Sequence, residues 1–489
     1  MTSFLSKIPT YRKIFHAVFN WRIARRVLLT LAVIGTLLAV IITEENWRGQ
    51  RAWDTYKSDL VAQGVPMSFA QLQPPAIPDD QNFAMAPIIQ SLGAVMSKAS
   101  YKMEDKLSWR ALVPGGDNQV PEWDYYLYSK PTELRAKMDE LRKIIGQRDL
   151  VQAMNTAFPV LEEFTAASRR PAARFTIADD LSNYADMPVT VFLNLGKIYA
   201  VRALAELDQG QVQNSADDIS TLYRLANLLS NGFTVTTQLV AIAMTGFADG
   251  PVREGLVEHR WSDAQLAQMQ ADMHKGDFIA SLQKSFQYER IRLTQILERN
   301  TVSELVGSLQ GMSRNSDLSW LAFATKLIPE GWVRLNQITY SQEHLKLVAL
   351  LDPAHHKVDA PTLLAYQQDR ARRSRTIFNF IGIIMTSNFA GMIQHGAVSL
   401  AQLDEAQVAC AIERYWLANN KLPATLEELA PKFIAKIPND VFNGGPMHYL
   451  PGADDHFQLY EVGLGGRDDG GKSDEKDGLG DIMWPDAGK

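Results

Sequence analysis

Along most of the chain, hydrophobic residues recur every three or four positions, with polar residues between them. The clearest case is the segment 188–248, where a break at residues 208–210 separates two apolar stripes. Stripes whose members recur every three or four residues are typical of amphipathic helices, so this segment predicts a helical hairpin. We therefore expect a helical body over residues 188–400, preceded over residues 44–187 by a linker and mixed region of helices and loops.

The pattern changes in the last ninety residues. Residues 401–419 still have helical spacing, but two short runs, 447–450 and 457–462, are rich in aromatic and branched side chains. A turn-forming stretch at residues 452–455 lies between these runs, which predicts two antiparallel strands. The fold class expected from the sequence is therefore α+β and mainly α, with a small α+β domain over residues 401–489.

One apolar run near the N-terminus contains no charged residue. It extends from Val27 to Thr43 and is followed directly by Glu44 and Glu45. About 17–25 apolar residues cross the hydrocarbon of a bilayer. A cleaved signal peptide is the alternative, but such a peptide ends in small residues, and this run ends in Ile41-Ile42-Thr43. Residues 27–43 therefore predict an uncleaved transmembrane helix.

The charge distribution predicts the orientation of that helix. Residues 1–43 carry six basic residues and no acid; these are Lys7, Arg12, Lys13, Arg22, Arg25 and Arg26. Basic flanks stay in the cytoplasm, so residues 1–26 are expected to form a cytoplasmic segment. The predicted location is the bacterial inner membrane, crossed once, with an extracytoplasmic (periplasmic) C-terminus.

A second apolar stretch, Ile377–Ile393, follows a cluster of arginines. It contains Asn379, Ser387 and Asn388, which are costly in contact with lipid. A second span would also begin from basic residues on the wrong side of the membrane. We expect burial in the core or at an interface, and contact with the membrane surface remains open.

Composition excludes some function classes. The net charge is −6, and residues 1–43 contribute +6, so the rest of the chain carries −12. A body of that charge is a poor match for nucleic acid.

The lone cysteine, Cys410, lies on an apolar helical face and is expected to be a buried thiol. The H-E-x-x-H, G-x-S-x-G and dinucleotide glycine patterns are absent, so no catalytic residues and no hydrolase activity are predicted.

The C-terminal segment resembles a known family. The order of "AIERYWLANNKLPATLEELAPKFIAKIPND", "MHYL", "FQLYEVG", "DDGG" and "DI.W" is similar to the C-terminal domain of the major pseudopilin of type II secretion systems. The likeness covers about 85 of the 489 residues. The remainder resembles uncharacterised membrane-anchored bacterial proteins. Residues 1–43 lack the pilin processing pattern, so the resemblance does not imply fibre assembly.

The resemblance implies a calcium site in the final loop. Carried over by position, the candidate ligands are Asp481, Asp469 and Asp477. Gly465 stands where the family has an aspartate, so that ligand is either lost or replaced by Asp468 or Asp469. Crowded carboxylates and flexible glycines suit calcium, and the absence of Cys and His between residues 461 and 486 argues against zinc.

Three functions remain open from the sequence. The first is a structural or interaction protein of the cell envelope with a protein partner and a calcium-binding loop. The second is an accessory component of a type II secretion or pilus-like system. The third is an envelope enzyme whose site lies in the helical body.

Overall fold

A computed structural model describes most of the chain. The described residues are 21–92, 98–112, 131–146, 149–175, 188–273, 276–301, 304, 328–374, 376–386, 388–452, 456–472 and 479–484. The first 20 residues of the predicted cytoplasmic segment and the candidate ligand Asp477 lie outside these ranges.

The described chain is mainly helical, with a small antiparallel sheet and one long apolar helix near the N-terminus, which confirms the coarse fold class. The α-helices are α1 Trp21–Ala62, α2 Pro87–Ser91, α3 Lys98–Lys106, α4 Pro131–Ile145, α5 Leu150–Ala157, α6 Leu161–Ser168, α7 Val189–Asp208, α8 Val212–Leu229, α9 Val235–Val257, α10 Asp263–Met273, α11 Phe278–Arg299, α12 Glu330–Val348, α13 Ala360–Arg372, α14 Phe380–Met385 and α15 Phe389–Asn419. The strands are β1 Leu351–Asp352, β2 Lys357–Val358, β3 His448–Pro451, β4 Phe457–Glu461 and β5 Ile482–Met483.

Helix α1 is 42 residues long, and its apolar part is uncovered. Its most hydrophobic window has a mean hydropathy of 2.4 and is 0% buried, unlike the core helix of a soluble protein. The hydroxyls of Thr36 and Thr43 donate to the carbonyl oxygens of Ala32 and Ala39 at 2.8 Å, so these polar groups are satisfied within the helix. Among the described helices, α1 is the one with the length and apolarity to cross a membrane.

The described residues divide into two compact units. The first consists of the described parts of Met1–Val65, Leu293–Ser341 and Arg375–Ile384. In this unit the second half of α1 packs along the first half of α12. Trp53 is fully buried, and the Tyr56 hydroxyl donates to Ser341 Oγ at 3.1 Å. The polar half of α1 is therefore held by tertiary contacts.

The second unit consists of the described parts of Pro66–Arg292, Gln342–Ser374 and Met385–Lys489. Helices α7, α8 and α9 pack against one another, which confirms the predicted helical hairpin and adds a third helix to it. Helix α15 packs against α9 and α10, and Cys410 on α15 is fully buried, as predicted. The core is thus built mainly from helix faces.

The C-terminal sheet has the strand order β3-β4-β5, and both pairings are antiparallel. His448 pairs with Tyr460, and Tyr460 pairs with Met483 in the next strand. Helix α15 packs against β4 and β5. This helix begins at Phe389, twelve residues before the predicted start, because Ala390, Ile393 and Ala397 extend its buried stripe.

The second apolar stretch, Ile377–Ile393, has both buried and exposed members. Ile383 and Ile393 are buried, whereas Ile377, Phe378 and Met385 are exposed. The expectation of core or interfacial burial therefore holds for part of the stretch.

Candidate functional site

Asp481 is the best-defined acid of the predicted calcium loop. Its side chain is 1% exposed. Oδ2 accepts hydrogen bonds from the backbone N–H groups of Asp469 at 3.0 Å and Gly471 at 2.8 Å. Oδ1 is buried and has no hydrogen-bond donor among the described residues, which exclude 473–478. A buried, unpartnered carboxylate oxygen is costly unless a cation or a donor meets it.

Glycines shape the loop around Asp481. Gly470 and Gly471 have φ angles of 71° and 76°, a region that side chains disfavour. Gly465 donates its N–H to the Leu479 carbonyl at 3.0 Å, and a Cβ on Gly465 would collide with that same oxygen. This contact explains why glycine occupies a position where the resembling family has aspartate.

Asp468 lies on the outer side of the loop. Its Oδ1 accepts hydrogen bonds from Gly470 N at 2.9 Å and from the Tyr460 hydroxyl at 3.2 Å. The hydrogen bond from Gly470 N–H, with that from Tyr460, lowers the pKa of Asp468 below its ordinary value. The ring of Tyr460 stacks on His448 with centroids 4.7 Å apart. The carboxylate of Asp468 is thus already engaged by the protein.

The loop closes on the sheet as the sequence predicts. Ile482 and Trp484 are buried, and the Trp484 N–H donates to the Leu459 carbonyl at 2.9 Å. Two of the three candidate ligands, Asp469 and Asp481, lie next to each other, since the Asp469 N–H donates to Asp481 Oδ2. Among the described residues, no three His, Cys, Asp or Glu side chains converge to hold a metal ion. The carboxylate of Asp481 fits a cation site, and a complete ligand set would need groups beyond the described ones.

The same loop matches the sequence pattern of a phosphate-binding loop. Residues 466–473 fit G-x-x-x-x-G-K-S. A phosphate-binding loop joins a buried strand to the N-terminus of a helix. Here the segment lies between the antiparallel strands β4 and β5, and two of its residues are Asp468 and Asp469. The structural context therefore does not match that of a nucleotide site.

A groove of about 1210 Å³ lies beside the C-terminal domain. Its lining includes side chains of both charge signs; these are Asp277, Asp352, His355, His356, Lys357, Asp404, Arg414, Lys432 and Lys436. Apolar side chains such as Leu403 and Phe433 form part of its wall. A groove of mixed lining suits a ligand or peptide that offers both apolar and charged groups.

The best-placed ionisable pair in the groove is His356 with Asp404. The two side chains are 2.7 Å apart between Nε2 and Oδ2, and Asp404 is buried. Burial lowers the pKa of His356, but the hydrogen bond and charge of Asp404 outweigh it, so the pKa is raised. The described residues that line the groove include no Ser, Thr, Tyr or Cys. The groove therefore offers binding groups but no hydroxyl or thiol nucleophile among those residues.

His355 and His356 do not share a ligand. The sequence predicts that these neighbours point in different directions. His355 Nδ1 lies 2.7 Å from the carboxylate of Asp352, while His356 faces Asp404. The two imidazoles therefore face different carboxylates.

A buried acidic pair lies between α15 and β4. Glu405 and Glu461 are both 0% exposed. Neither carboxylate oxygen of Glu405 has a hydrogen-bond partner among the described residues, whereas Glu461 Oε2 accepts from Val441 N at 2.8 Å. Burial, followed by the charge of Glu461, raises the pKa of Glu405 well above its ordinary value. Burial and the charges of Asp404 and Asp440 raise the pKa of Glu461 in the same way.

Sequence reasoning missed this pair, although a signal was present. Glu405 occupies a helical position between the buried residues Ala401 and Val408, so an acid interrupts an apolar stripe. Glu461 follows Leu459 at a spacing of two, which places both on one face of β4. An acid in the inward position of each element is the pattern that would have identified them.

Comparisons with known proteins supply no relative. No protein-family model, no curated protein and no solved structure matches this chain.

Proposed function

We propose that this chain is a single-pass membrane protein of the bacterial cell envelope that presents an extracytoplasmic interaction surface. The observation that carries the proposal is the apolar part of α1, which no other described segment covers. Exposed leucine, valine and isoleucine side chains along a charge-free helix are stable in lipid and costly in water. The basic residues that precede the run favour a cytoplasmic N-terminus in the inner membrane and a periplasmic body.

An interaction role is favoured over catalysis by the groove. Its described lining provides apolar walls, carboxylates and basic groups, but no hydroxyl or thiol side chain. A protein or peptide partner of mixed polarity is the occupant that such a surface suits best.

Extraction of membranes at alkaline pH tests the anchoring. The full-length protein should stay in the membrane pellet after a carbonate wash, because a spanning helix is not released by charge repulsion. A variant that lacks residues 27–43 should move to the soluble fraction. Release of the full-length protein by carbonate would contradict the anchor.

The C-terminal region supports a second candidate, an accessory component of a secretion or pilus-like system. A long helix, α15, packs against a small antiparallel sheet whose last two strands are joined by a Gly- and Asp-rich loop, an arrangement similar to the one that the resemblance to the pseudopilin domain implies. Affinity purification of the full chain from detergent-solubilised membranes separates the two candidates. The control is a truncated chain that contains only α1. Enrichment of secretion components with the full chain favours the second.

We further propose that the C-terminal loop binds calcium through Asp481. The support is the buried Oδ1 atom, together with a loop of oxygen-rich residues and glycines. Asp469 and Asp477 are the additional candidate ligands that the resemblance implies.

Thermal unfolding of the full-length protein in detergent, with calcium or with a chelator, tests the loop. A filled site stabilises the folded state by roughly 1–3 kcal/mol at about 10–100 times its dissociation constant, so calcium should raise the unfolding midpoint. Asp481→Asn keeps an acceptor for the two N–H groups but loses the charge, and should abolish the response. Glu258→Gln, which removes an exposed carboxylate, should retain it.

Two results would contradict the calcium proposal. One is equal midpoints for the unsubstituted protein with calcium and with chelator. The other is an undiminished calcium response in Asp481→Asn.

A further inference from the structure

We propose that Trp332, Ile377 and Phe378 form a membrane-contacting platform, which inserts into the headgroup boundary of the extracytoplasmic leaflet beside the anchor. The proposal rests on the proposed function, because it takes residues 27–43 of α1 to span the bilayer. The platform's occupant is the lipid interface itself.

The platform residues present apolar surface that the described protein does not cover. Ile377 is 56% exposed and Phe378 is 38% exposed. The ring of Phe378 packs edge-on against Trp332, with centroids 5.6 Å apart. Trp332 and Phe378 therefore form an aromatic pair, and the exposed Ile377 directly precedes Phe378 in the chain.

Contacts with α1 fix the height of this cluster above the membrane. Trp332 Nε1 donates to Glu45 Oε2 at 3.0 Å, and Gly331 N donates to Asn46 Oδ1 at 3.0 Å. Glu45 comes two residues after Thr43, the end of the apolar run. At about 1.5 Å per residue, Trp332 lies at the level where hydrocarbon gives way to headgroups.

The later residues of α12 lie progressively further from that level. Further along α12, Arg334 Nε donates to Gln50 Oε1 at 3.1 Å, and Ser341 bonds Tyr56. Helix α12 therefore runs parallel to the second half of α1, with its N-terminus nearest the apolar run.

The segment that contains Ile377 and Phe378 runs in the same direction as α12, away from the apolar run of α1. Asn336 Nδ2 donates to the Ile377 carbonyl at 2.8 Å, and Gly382 lies against the backbone of Tyr340 and Asn336. The exposed residues 377 and 378 are thus at the membrane-proximal end of their segment. These bonds hold the platform rigidly, so it would bind lipid without an ordering cost.

The chemistry of the platform suits an interface better than either water or hydrocarbon. Tryptophan and other aromatic side chains are enriched at the headgroup level of membranes. Trp47, at the same level of α1, is 56% exposed, and the guanidinium of Arg51 lies 5.4 Å from its ring centroid. Arg48 and Arg51 on α1 provide cations beside this apolar surface for lipid phosphates.

Depth-dependent quenching of a fluorescent probe tests the platform. The sole native cysteine, Cys410, is fully buried, so a single introduced cysteine is the accessible one. Ile377→Cys, Leu37→Cys and Val61→Cys place an environment-sensitive probe on the platform, in the anchor and at the exposed far end of α1. Each full-length variant is reconstituted into vesicles of phosphatidylethanolamine and phosphatidylglycerol that contain nitroxide lipids.

We expect three different signals. The probe at Ile377 should show blue-shifted emission and be quenched more by nitroxides near the headgroup than by nitroxides near the chain ends. The probe at Leu37 should show the reverse depth preference, and the probe at Val61, 18 residues beyond the apolar run on α1, should behave as in water and be quenched by aqueous iodide.

The controls separate the failure of the platform from the failure of the anchor. If Leu37 is not quenched by any nitroxide lipid, the anchoring itself is wrong. If Leu37 is quenched but Ile377 behaves as in water, the platform is wrong and the anchor stands. If Ile377 is shielded from iodide yet not quenched by lipids, protein covers it instead, which also overturns the proposal. Phe378→Cys provides a second platform position if Ile377→Cys fails to fold.

Discussion

Buried acids without salt-bridge partners are the residues with the largest consequences in this chain. Asp481, Glu405 and Glu461 each have at least one buried carboxylate oxygen with no partner among the described residues. A group in that position either loses its charge by binding a proton or meets a cation. Asp481 lies in a glycine-rich loop that suits a cation, whereas Glu405 and Glu461 face each other's charge within the core, which suits a proton.

The raised pKa of Glu405 predicts a pH-dependent stability. The folded chain retains a proton on Glu405 at pH values where the unfolded chain has lost it. Stability is therefore fully present below the ordinary pKa of 4.5 and falls as pH rises toward the raised pKa of the folded state. Each proton held in this way changes the free energy of unfolding by about 1.4 kcal/mol per pH unit.

Substitution of Glu405 by Gln should remove part of that slope. Glu405→Gln carries no titrating group and has nearly the same size and shape as glutamate. We expect its unfolding midpoint to fall less than that of the unsubstituted protein between pH 5 and pH 8, measured by thermal melts in detergent. Glu258→Gln, at the surface, should keep the original slope. An unaltered slope in Glu405→Gln would mean that the proton resides elsewhere.

At this scale the sequence predicts some roles and misses others. Asp481 was a candidate because its position matches a ligand position in the resembling family, and it is buried. The partner of His356 could not be predicted, because Asp404 lies 48 residues further along the chain. Glu405 was missed because helical periodicity describes apolar positions and gives no meaning to an acid among them.

At the scale of elements, the crossing of α1 and α12 depends on two glycines. A Cβ on Gly331 would collide with the backbone carbonyl of Glu45, and a Cβ on Gly49 would collide with the backbone of Gly331. The two helices therefore approach each other more closely than any side chain permits. This contact anchors the first turn of α12 to the end of the apolar run.

Gly331→Ala should disrupt this crossing. Overpacking against backbone atoms that cannot rotate away costs about 1–3 kcal/mol. We expect a lower unfolding midpoint and greater protease sensitivity of α12. Gly246→Ala is the matched control, because a Cβ there meets no atom within 4 Å. Replacing glycine within helix α9 should stabilise it by about 0.5–1 kcal/mol. Equal midpoints for the two variants would show that the helices do not cross as described.

Local periodicity predicts the elements better than their ends and partners. The helical hairpin and the two strands β3 and β4 follow from apolar spacing and turn residues. The continuity of α1 beyond its apolar run does not follow from local spacing, because residues 44–62 are polar and their packing depends on residues more than 280 positions away. The local sequence contains no pattern that would predict contacts between residues so far apart in the chain.

At the scale of the whole molecule, one helix combines two environments. The first half of α1 is charge-free and uncovered, while the second half packs Trp53 and Leu60 into protein. The composition of the chain carries the same division, since the acidic charge lies after residue 43 and the basic excess before it. Both the charge-free run and the uneven charge distribution can be recognised in the sequence alone. The anchor is therefore the strongest prediction that the sequence makes.

Reporter fusions to the C-terminus test the central claim, that a single span places the body outside the cytoplasm. A periplasm-active phosphatase fused after Lys489 should be active in cells, and a reporter active only in the cytoplasm should be silent at the same position. Deletion of residues 27–43 should reverse both signals. A silent phosphatase together with an active cytoplasmic reporter on the full-length chain would contradict both the orientation and the single span.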